Sequence, residues 1–407
     1  MNILWIISSG WKEGGAENYI VTLKPFLEHM GHTVKILASD DRPDQPHFSD
    51  YTFKTYRGIF RVFAHVWNID ARRVLKKVLK EFKPDIVHIH TIGHASPAIL
   101  LALHAHPTAY TMHGPEAFIK TLLHWCFPSS YFTEGHAYEK EYLRLTGKLR
   151  VLYHRFLTDP LYAIGLRHVD TIISPSAFMR DIVAKQGLPS VVIPNGISLL
   201  PYHAPHQSRM NNTVVYVGRL EKYKGVDYLL QAFSEVLIHV PQAQLIIAGD
   251  GSMRKDLEQE AQALGITNNV TFLGRISREA LINIYTQASC VVIPSIWFET
   301  FGMVGLEAMS IGRPVIVSDV GGISEWFSDG ETGYAVPPKD SHAIASAIVR
   351  LFEHPETAIV MGEKGRARAE HFGMKEHAQE IIRLYENMVT QGNMFPETKR
   401  EHASKNA

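Results

Sequence analysis

Short apolar runs alternate with helix-length segments from one end of the chain to the other, and this alternation restricts the fold more than any other feature of the sequence. The runs cover residues 3–8, 33–38, 85–90, 108–113, 171–174 and 191–194, then 214–217, 244–248, 270–273, 290–294, 314–317 and 333–336. Strands that are apolar on both faces and separated by helices are typical of parallel sheets covered by helices. We therefore predict an α/β protein.

A polar segment divides the series into two halves. The first half ends at the turn signal Pro194-Asn195-Gly196, and residues 201–208 have the composition of a linker. A chain of 407 residues is also too long for one hydrophobic core. The pattern predicts two doubly wound domains, residues 1–198 and 199–374, then a helix over residues 375–391 and a polar tail over residues 392–407. Because such domains bind ligands at the carboxyl ends of their strands, we expect the site in a cleft between them.

The chain carries 41 basic and 41 acidic side chains. This balance excludes a protein whose main role is to coat nucleic acid. The halves differ, since residues 1–200 have a surplus of five positive charges and residues 201–407 a surplus of five negative charges. The two cysteines are too few for a disulfide framework, and no apolar run is long enough to span a membrane. These features favour a cytoplasmic protein.

A glycine-containing loop follows the first apolar run. Its paired glycines, Gly14 and Gly15, precede a predicted helix, whose N-terminus offers N–H groups to an anion. An ordinary flexible loop is the alternative. The spacing from Gly10 departs from Gly-x-Gly-x-x-Gly, which disfavours a nicotinamide-dependent dehydrogenase.

A second loop, after the first apolar run of the second half, carries two cations. Arg219 follows Gly218, and Lys224 lies five residues further on. A guanidinium fork and an ammonium at the end of a strand are suited to a diphosphate, although loop cations are more often solvated.

Two acidic residues flank a predicted helix start in the segment 294–309. Glu299 precedes the start near Gly302, and Glu307 lies in the second helical turn among apolar neighbours. The amides of residues 301–304 can bind a phosphate, and the carboxylates can accept hydrogen bonds from sugar or ribose hydroxyls. A solvated helix face is the alternative, but an unpaired carboxylate among apolar residues would be costly.

These features occur together in a fixed order along the chain. They are Gly14-Gly15, His113-Gly114, Asn195-Gly196, Gly218-Arg219 with Lys224-Gly225, Gly249-Asp250-Gly251, and Glu299 with Glu307. In this combination the chain resembles the retaining glycosyltransferases of family 4, over residues 1 to about 390. The resemblance implies the GT-B fold, in which two Rossmann-like domains face each other across a cleft. The N-terminal domain is then the acceptor side, and the helix 375–391 crosses back to it.

The resemblance also implies roles in donor binding. Arg219 and Lys224, with Gly218, are expected to bind the diphosphate, and Glu307 is expected to bind the ribose. Arg275 and Ile276 are expected to lie by the base. The donor sugar and the β-phosphate are expected to be held by Glu299 and by the amides of Phe301, Gly302, Met303 and Val304. From the first domain, Gly14 and Gly15 approach the diphosphate and His113 faces the transferred sugar. Many relatives have an acid directly after this histidine, whereas here the first acid is Glu116, which is expected to replace it or to bind acceptor.

The expected reaction moves a sugar from a nucleotide-diphosphate sugar, with UDP favoured over GDP, to a hydroxyl of a glycan, a lipid-linked or a small-molecule acceptor. No cofactor or metal is expected, because Asp40-Asp41 has no partner pattern and cations with a helix N-terminus stabilise the leaving diphosphate. A same-face mechanism with retention is favoured, with no covalent nucleophile. A sugar-nucleotide epimerase, a phosphorylase and a non-catalytic nucleotide-sugar-binding subunit are the alternatives, since the fold does not fix the chemistry.

The acceptor side carries a basic, aromatic segment. Residues 53–83 hold nine Lys or Arg and two Asp or Glu, interleaved with aromatic residues. Such a segment is suited to an anionic membrane surface or a lipid-linked acceptor, while an amphipathic helix with a solvated face is the alternative. The long insertion 114–168 is expected to shape the acceptor site. The predicted location is cytoplasmic, with peripheral contact at the inner face of the membrane as an open question.

Overall fold

The computed structural model describes residues 1–11, 14–42, 46–114, 156–157, 159–185, 187–201 and 212–394. The described chain divides into two units, one made of Met1–Ile193 with the segment from Ala378 onward, and one made of Pro194–His377. Each unit contains one parallel sheet with helices between its strands. The predicted α/β class and the two doubly wound sheets are therefore confirmed.

The first unit has a sheet of seven strands in the order β3-β2-β1-β4-β5-β6-β7. Its strands are β1 (Asn2–Ser9), β2 (Thr33–Ser39), β3 (Tyr51–Phe53), β4 (Ile86–Ile89), β5 (Thr108–Thr111), β6 (Thr171–Ser174) and β7 (Ser190–Val192). Its helices are α1 (Gly15–His29), α2 (Ile59–Val66), α3 (Ile69–Phe82), α4 (Asp159–Leu166) and α5 (Ala177–Ala184). All strand pairs are parallel.

The second unit has a sheet of six strands in the order β10-β9-β8-β11-β12-β13. Its strands are β8 (Thr213–Val217), β9 (Gln244–Ala248), β10 (Val270–Gly274), β11 (Cys290–Ile293), β12 (Val315–Ser318) and β13 (Gly333–Val336). The helices are α6 (Val226–His239), α7 (Arg254–Ala263), α8 (Arg278–Gln287), α9 (Met303–Ser310), α10 (Ser341–Glu353), α11 (Pro355–Glu370) and α12 (Met374–Met394). Helix α12 begins in this unit and belongs to the first unit from Ala378.

Apolar runs form strands in the second unit because both faces of the sheet are covered. Val214 and Tyr216 of β8 pack into one buried cluster with α6 and α10, whereas Val215 packs into a second cluster with α8 and α9. Successive side chains of a strand point to opposite faces, so a strand buried on both sides is apolar at every position. This burial explains why the runs of the sequence coincide with the strands to within a residue or two.

Strand β3 and helices α2 and α4 of the first unit are absent from the sequence prediction. Strand β3 has three residues, of which Phe53 alone is fully buried, and so it has no apolar run to mark it. Helix α2 was missed because Phe60 and Phe63 are exposed and do not follow a buried stripe. In the described part of the chain, no helix combines the length and the hydropathy needed to cross a bilayer.

Candidate active site

In the sheet of the second unit, the connections between strands diverge between β8 and β11. From β8 the chain winds outward through β9 and β10, and then it returns to β11 on the other side of β8. Loops that leave two adjacent strands in opposite directions open a crevice at their carboxyl ends, and this is where doubly wound sheets bind ligands. The loops after β8 and β11 carry Arg219, Lys224 and Glu299.

Lys224 and Glu299 form an ion pair at this point. The Lys224 ammonium donates to Glu299 Oε1 at 2.6 Å, and the Ser295 hydroxyl donates to the same oxygen at 2.5 Å. The Glu299 side chain is only 14% exposed. Burial alone would raise the pKa of Glu299, but the Lys224 charge and hydrogen bond, the Ser295 hydroxyl and the Arg219 charge together lower it. Glu299 is therefore a carboxylate at neutral pH.

Backbone contacts hold the two loops in register. The Ile296 amide donates to the Tyr223 carbonyl at 3.0 Å, which ties the β11 loop to the β8 loop. The Gly322 amide donates to the Glu299 carbonyl at 2.7 Å, beside Gly321 with φ +68°. A Cβ on Gly321 would lie 2.3 Å from the Glu299 carbonyl oxygen, so glycine is required for this close approach. Glu299 is thus fixed by the main chain as well as by its side chain.

Arg219 lies on a loop that packs tightly against a neighbouring glycine loop. The Tyr216 hydroxyl donates to the Arg219 carbonyl at 2.8 Å, and the Arg219 guanidinium lies 5.6 Å from the centre of the Tyr223 ring. A Cβ on Gly249 would lie 1.8 Å from the Gly218 carbonyl oxygen. The Gly249-Asp250-Gly251 motif therefore permits the close packing of the Arg219 loop. The Arg219 side chain itself is exposed.

Helix α9 begins beside Glu299, as predicted. Its N-cap is Gly302, in the left-handed conformation with φ +82°, and Met303 and Val304 supply the first helical amides. Gly305 lies against the fully buried Trp326 ring, which a Cβ at that position would meet at 2.1 Å. The Trp326 indole N–H donates to the Phe301 carbonyl. Trp326 therefore fixes the position of the chain that enters α9. The N-terminus of α9 is held, as a result, close to Glu299 in the chain.

Glu307, in the second turn of α9, differs electrostatically from Glu299. Burial raises the pKa of Glu307 from 4.5 to about 7, and the Arg278 charge opposes the shift only in part. A carboxyl group with this pKa changes charge near neutral pH.

We expect the charge on Glu307 to cost stability at alkaline pH. The folded protein holds a proton on Glu307 that the unfolded chain has lost, so stability falls as the pH rises from about 4.5 through about 7. Glu307→Gln should raise Tm at about pH 8 and leave it nearly unchanged at about pH 4.5. Differential scanning calorimetry at the two pH values measures this. Glu363→Gln, at an exposed position of α11, is the control. A Tm difference that does not vary with pH would contradict the assignment.

The predicted base-binding residues follow β10. Arg275 is exposed, and Ile276 is half-buried against the apolar cluster that includes Phe301. The structure places them on the loop between β10 and α8, at the carboxyl edge of the same sheet. Their role stays a prediction.

The first unit has its own point of divergence, between β1 and β4. The loop after β1 leads to Gly14, the N-cap of α1, and to Gly15, its first residue. The Glu17 carboxylate accepts a hydrogen bond from the Gly14 amide at 2.9 Å. A carboxylate therefore caps the helix end that the sequence assigned to a diphosphate. An approaching anion must displace Glu17 or bind beside it.

His113 lies two residues after β5 and contacts aromatic rings of two other elements. The Tyr19 ring of α1 meets it at 4.7 Å in an edge-on arrangement, and the His90 ring after β4 stacks on it at 5.2 Å. His90 Nδ1 and His113 Nε2 are 3.0 Å apart, a hydrogen-bond distance. His113 is half-buried, whereas His90 is buried.

Glu116 and most of the insertion 114–168 lie outside the described residues. Asp41 lies after β2, where its carboxylate accepts hydrogen bonds from Ser39, Ser9 and Trp11. Burial acts to raise the pKa of Asp41, but the hydrogen bonds from Ser39 and Trp11, the His94 charge and a backbone hydrogen bond lower it overall. Among the residues described, no three His, Cys, Asp or Glu side chains are grouped so as to hold a metal ion.

Sequence reasoning missed three residues of these clusters. Ser295 stands four residues before Glu299 on the same loop, and a small hydroxyl at that spacing was the available signal. Glu17 is three residues after the glycine N-cap, which is the spacing of a capping acid. His90 belongs to the alternation His88-Ile89-His90 at the end of an otherwise apolar run.

Comparison with known proteins agrees with this architecture. The model described as Glycosyltransferase Family 4 matches residues 13–199, and the one described as Glycosyl transferases group 1 matches residues 202–368. The alpha-D-kanosaminyltransferase of Streptomyces kanamyceticus is 39% identical over 150 residues, which are 37% of this chain and 39% of that relative. The matched segment of this chain thus spans well under two thirds of that relative's length.

Solved structures match over nearly the whole chain. A sucrose-phosphate synthase from Thermosynechococcus elongatus has a TM-score of 0.75 at 23% identity, covering 96% of this chain and 99% of that one. Anabaena HepE, in complex with UDP and glucose, has a TM-score of 0.69 at 21% identity, covering 95% and 100%. At these identities the structural matches establish the fold. Together with the two family models, they show that the chain belongs to the glycosyltransferases of family 4 and has the GT-B fold.

Proposed function

We propose that this protein transfers a sugar from a nucleotide-diphosphate sugar to an acceptor hydroxyl, with retention of the anomeric configuration and without a metal ion. The Lys224–Glu299 pair, beside Arg219 and the N-terminus of α9, is the observation that supports the proposal. Departure of a nucleoside diphosphate needs positive charge where the negative charge develops. A lysine, an arginine and helix amides supply that charge from fixed positions.

Glu299 orients the donor sugar in this proposal. Its Oε1 already accepts the bonds from Lys224 and Ser295, so we assign Oε2 to a sugar hydroxyl. Because its lowered pKa keeps it ionised, Glu299 acts as a hydrogen-bond acceptor and not as a proton donor. We assign Glu307 to the ribose hydroxyls, Gly218, Gly14 and Gly15 to the approach of the diphosphate, and His113 to the transferred sugar.

The proposed step occurs on one face of the sugar. The bond from the anomeric carbon to the diphosphate oxygen breaks and leaves the electron pair on that oxygen. The acceptor oxygen then bonds to the anomeric carbon from the same side, while its proton passes to the departing phosphate oxygen. No enzyme nucleophile takes part. A glycosyl-enzyme adduct, trapped with a slow donor and located by mass spectrometry, would contradict this mechanism.

The donor is best identified by binding. UDP-sugars are favoured over GDP-sugars, and a structural neighbour contains UDP and glucose. A bound donor stabilises the folded protein by mass action, so a UDP-hexose at about 100 times its Kd should raise stability by about 2.7 kcal/mol. A thermal-shift panel of UDP-, GDP- and ADP-sugars measures this. Shifts with GDP-sugars alone would change the donor assignment, and no shift with any of them would reject the donor site.

Products separate the proposal from its alternatives. An epimerase converts the nucleotide-sugar alone into an isomer, whereas a transferase releases the nucleoside diphosphate and glycosylates an acceptor. A non-catalytic subunit binds the donor and leaves it unchanged. Incubation with donor alone and with donor plus candidate acceptors, followed by mass spectrometry, distinguishes the three.

The proposal includes contact between the first unit and an anionic membrane at the cytoplasmic face. Helix α2 exposes Phe60 at 68% and Phe63 at 66% of their surface, and Ile69 at the start of α3 is also exposed. Arg61 lies between the two phenylalanines on α2. Large exposed apolar side chains interleaved with cations are typical of surfaces that enter the headgroup region of anionic bilayers.

We expect this surface to bind anionic vesicles. Phe60→Ser with Phe63→Ser should reduce partition into phosphatidylglycerol vesicles by about tenfold or more, because two apolar side chains no longer leave water. Ile238→Ser is the control, since Ile238 is 77% exposed on α6 of the second unit. Vesicle co-sedimentation measures the partition. If the Phe60/Phe63 variant sediments with anionic vesicles as much as the Ile238 variant does, the helix is an ordinary solvated one. The same conclusion holds if the wild-type protein binds neutral phosphatidylcholine vesicles as well as anionic ones.

A further inference from the structure

Arg254, the first residue of α7, uses two of its three guanidinium nitrogens within the second unit. Its Nε donates to the Glu258 carboxylate one turn further along α7, and its Nη2 donates to the Phe272 carbonyl of β10 at 3.3 Å. The guanidinium carbon also lies 5.1 Å from the centre of the Phe272 ring. Contacts to a helix and to a strand restrict the rotation of this planar group, so the guanidinium has a fixed orientation.

The third nitrogen, Nη1, lies at the carboxyl end of β10. It is 3.8 Å from the position that a Cβ on Gly274 would occupy. It makes no hydrogen bond with any of the residues that the structure describes. Because an arginine nitrogen donates and never accepts, and the side chain is 27% exposed, water or a ligand has to meet these N–H groups. Arg254 therefore presents oriented donors at the end of β10.

The end of β10 is also the expected place of the nucleobase. Gly274 is followed directly by Arg275 and Ile276, the two residues expected to lie by the base. The Gly249 amide donates to the Gly274 carbonyl at 2.8 Å, which ties this loop to the one that packs on the Arg219 loop. Strand β10 is two strands, or about 10 Å, outward from β8. A ribose and a base together span that distance from a diphosphate at the β8 loop.

We propose that Arg254 selects the nucleobase of the donor, by donating a hydrogen bond from Nη1 to a carbonyl oxygen of the base. This inference rests on the proposed function, in which the second unit binds a nucleotide-sugar. Uracil and guanine carry carbonyl oxygens, whereas adenine carries an amino group whose N–H would oppose the N–H of arginine. A site that donates to an oxygen of its ligand rejects an analogue that lacks the oxygen. Arg254 thus favours uracil and guanine over adenine.

Two purine nucleotides test this selection in the wild-type protein. Inosine diphosphate and ADP have the same diphosphate, ribose and ring size, but the inosine base carries a carbonyl oxygen where adenine carries its amino group. Inosine diphosphate and UDP should each bind about tenfold more tightly than ADP, as measured by isothermal titration calorimetry. ADP bound as tightly as the other two would overturn the proposal. If the site admits neither purine, UDP binding by the variants decides.

Variants of α7 test the residue itself. Arg254→Ala should weaken binding of UDP and inosine diphosphate by about tenfold or more, and leave that of ADP within about threefold of wild type. Lys255→Ala is the control, because Lys255 is exposed and its loss removes the same charge from the neighbouring position. Arg254→Lys serves if the alanine variant fails to fold. One ammonium cannot reproduce the fork that meets both the Phe272 carbonyl and the base, so the preference should be lost there too.

The outcomes separate this inference from the proposed function. Equal weakening of UDP and ADP binding in Arg254→Ala would show that Arg254 acts through its charge or through folding, and unchanged UDP binding would show that it does not meet the base. Either result overturns the selection by Arg254 and leaves the proposed function standing if the wild-type protein still binds UDP and transfers sugar. If the wild-type protein binds no nucleotide, the proposed function fails as well.

Discussion

Lys224→Ala is expected to reduce kcat for sugar transfer by about a hundredfold, the loss typical when one hydrogen-bond donor to a developing oxyanion is removed. Two effects add. The departing diphosphate loses a cation, and Glu299, only 14% exposed, loses the partner that keeps it ionised. A buried carboxylate without its cation is strongly unfavourable, so its pKa should rise and its hold on the sugar should weaken. Steady-state kinetics with saturating donor measure the change.

Lys222 provides a matched control on the same turn. It forms an ion pair with Asp227 at the same 2.6 Å distance, but its side chain is more exposed, and the pair lies outside the proposed site. Lys222→Ala should leave kcat within about threefold of wild type, whereas Lys224→Arg should recover part of the loss by restoring the charge. If Lys224→Ala costs less than about tenfold, or 1.4 kcal/mol, the assignment of Lys224 to the diphosphate is wrong.

Gly249→Ala should destabilise the second unit by several kcal/mol and lower its Tm by about 10 °C. Gly249 has φ +147°, a conformation that side chains rarely adopt, and an added Cβ would lie 1.8 Å from the Gly218 carbonyl oxygen. That oxygen belongs to main chain and cannot rotate away. The loop bearing Arg219 must then shift, so donor binding should weaken in any protein that still folds.

Gly265→Ala separates the cost of backbone strain from the cost of the steric overlap that an added Cβ causes at Gly249. Gly265 also has a positive φ, +72°, but an added Cβ there meets no atom within 4 Å. Its substitution should cost only about 1 kcal/mol, which is the conformational cost alone. Thermal denaturation of both variants, monitored by circular dichroism, measures the difference. Equal losses of Tm would show that the packing of the two glycine loops contributes nothing.

The fold was predictable where burial is two-sided. The strands of the second unit follow apolar runs because residues such as Val214 and Val215 are covered on opposite faces of the sheet. β3 and α2 were not predictable, since β3 buries one side chain completely and α2 directs Phe60 and Phe63 to solvent. A periodicity argument detects elements by their buried stripe and fails where that stripe is missing.

The types of residue in the candidate site could be predicted from the sequence, but the pairs that they form could not. The sequence identified Lys224 and Glu299 as separate features, 75 residues apart. Their ion pair depends on β8 and β11 being neighbours and on the Ile296–Tyr223 contact between the two loops. The partnership of His90 with His113 depends in the same way on β4 lying beside β5. Such juxtapositions follow from strand order, which local sequence does not encode.

The return of the chain to the first unit has a consequence for folding during synthesis. The indole N–H of Trp5 donates to the Tyr385 hydroxyl at 3.3 Å, across 380 residues of sequence. The first unit therefore cannot complete its buried core on the ribosome until the second unit has emerged, although its first strand is made at the outset. Contacts of such high sequence separation are slow to form. The second unit is continuous in sequence from Pro194 to His377 and can fold first. Part of the apolar surface of the nascent first unit stays uncovered until α12 has been synthesised.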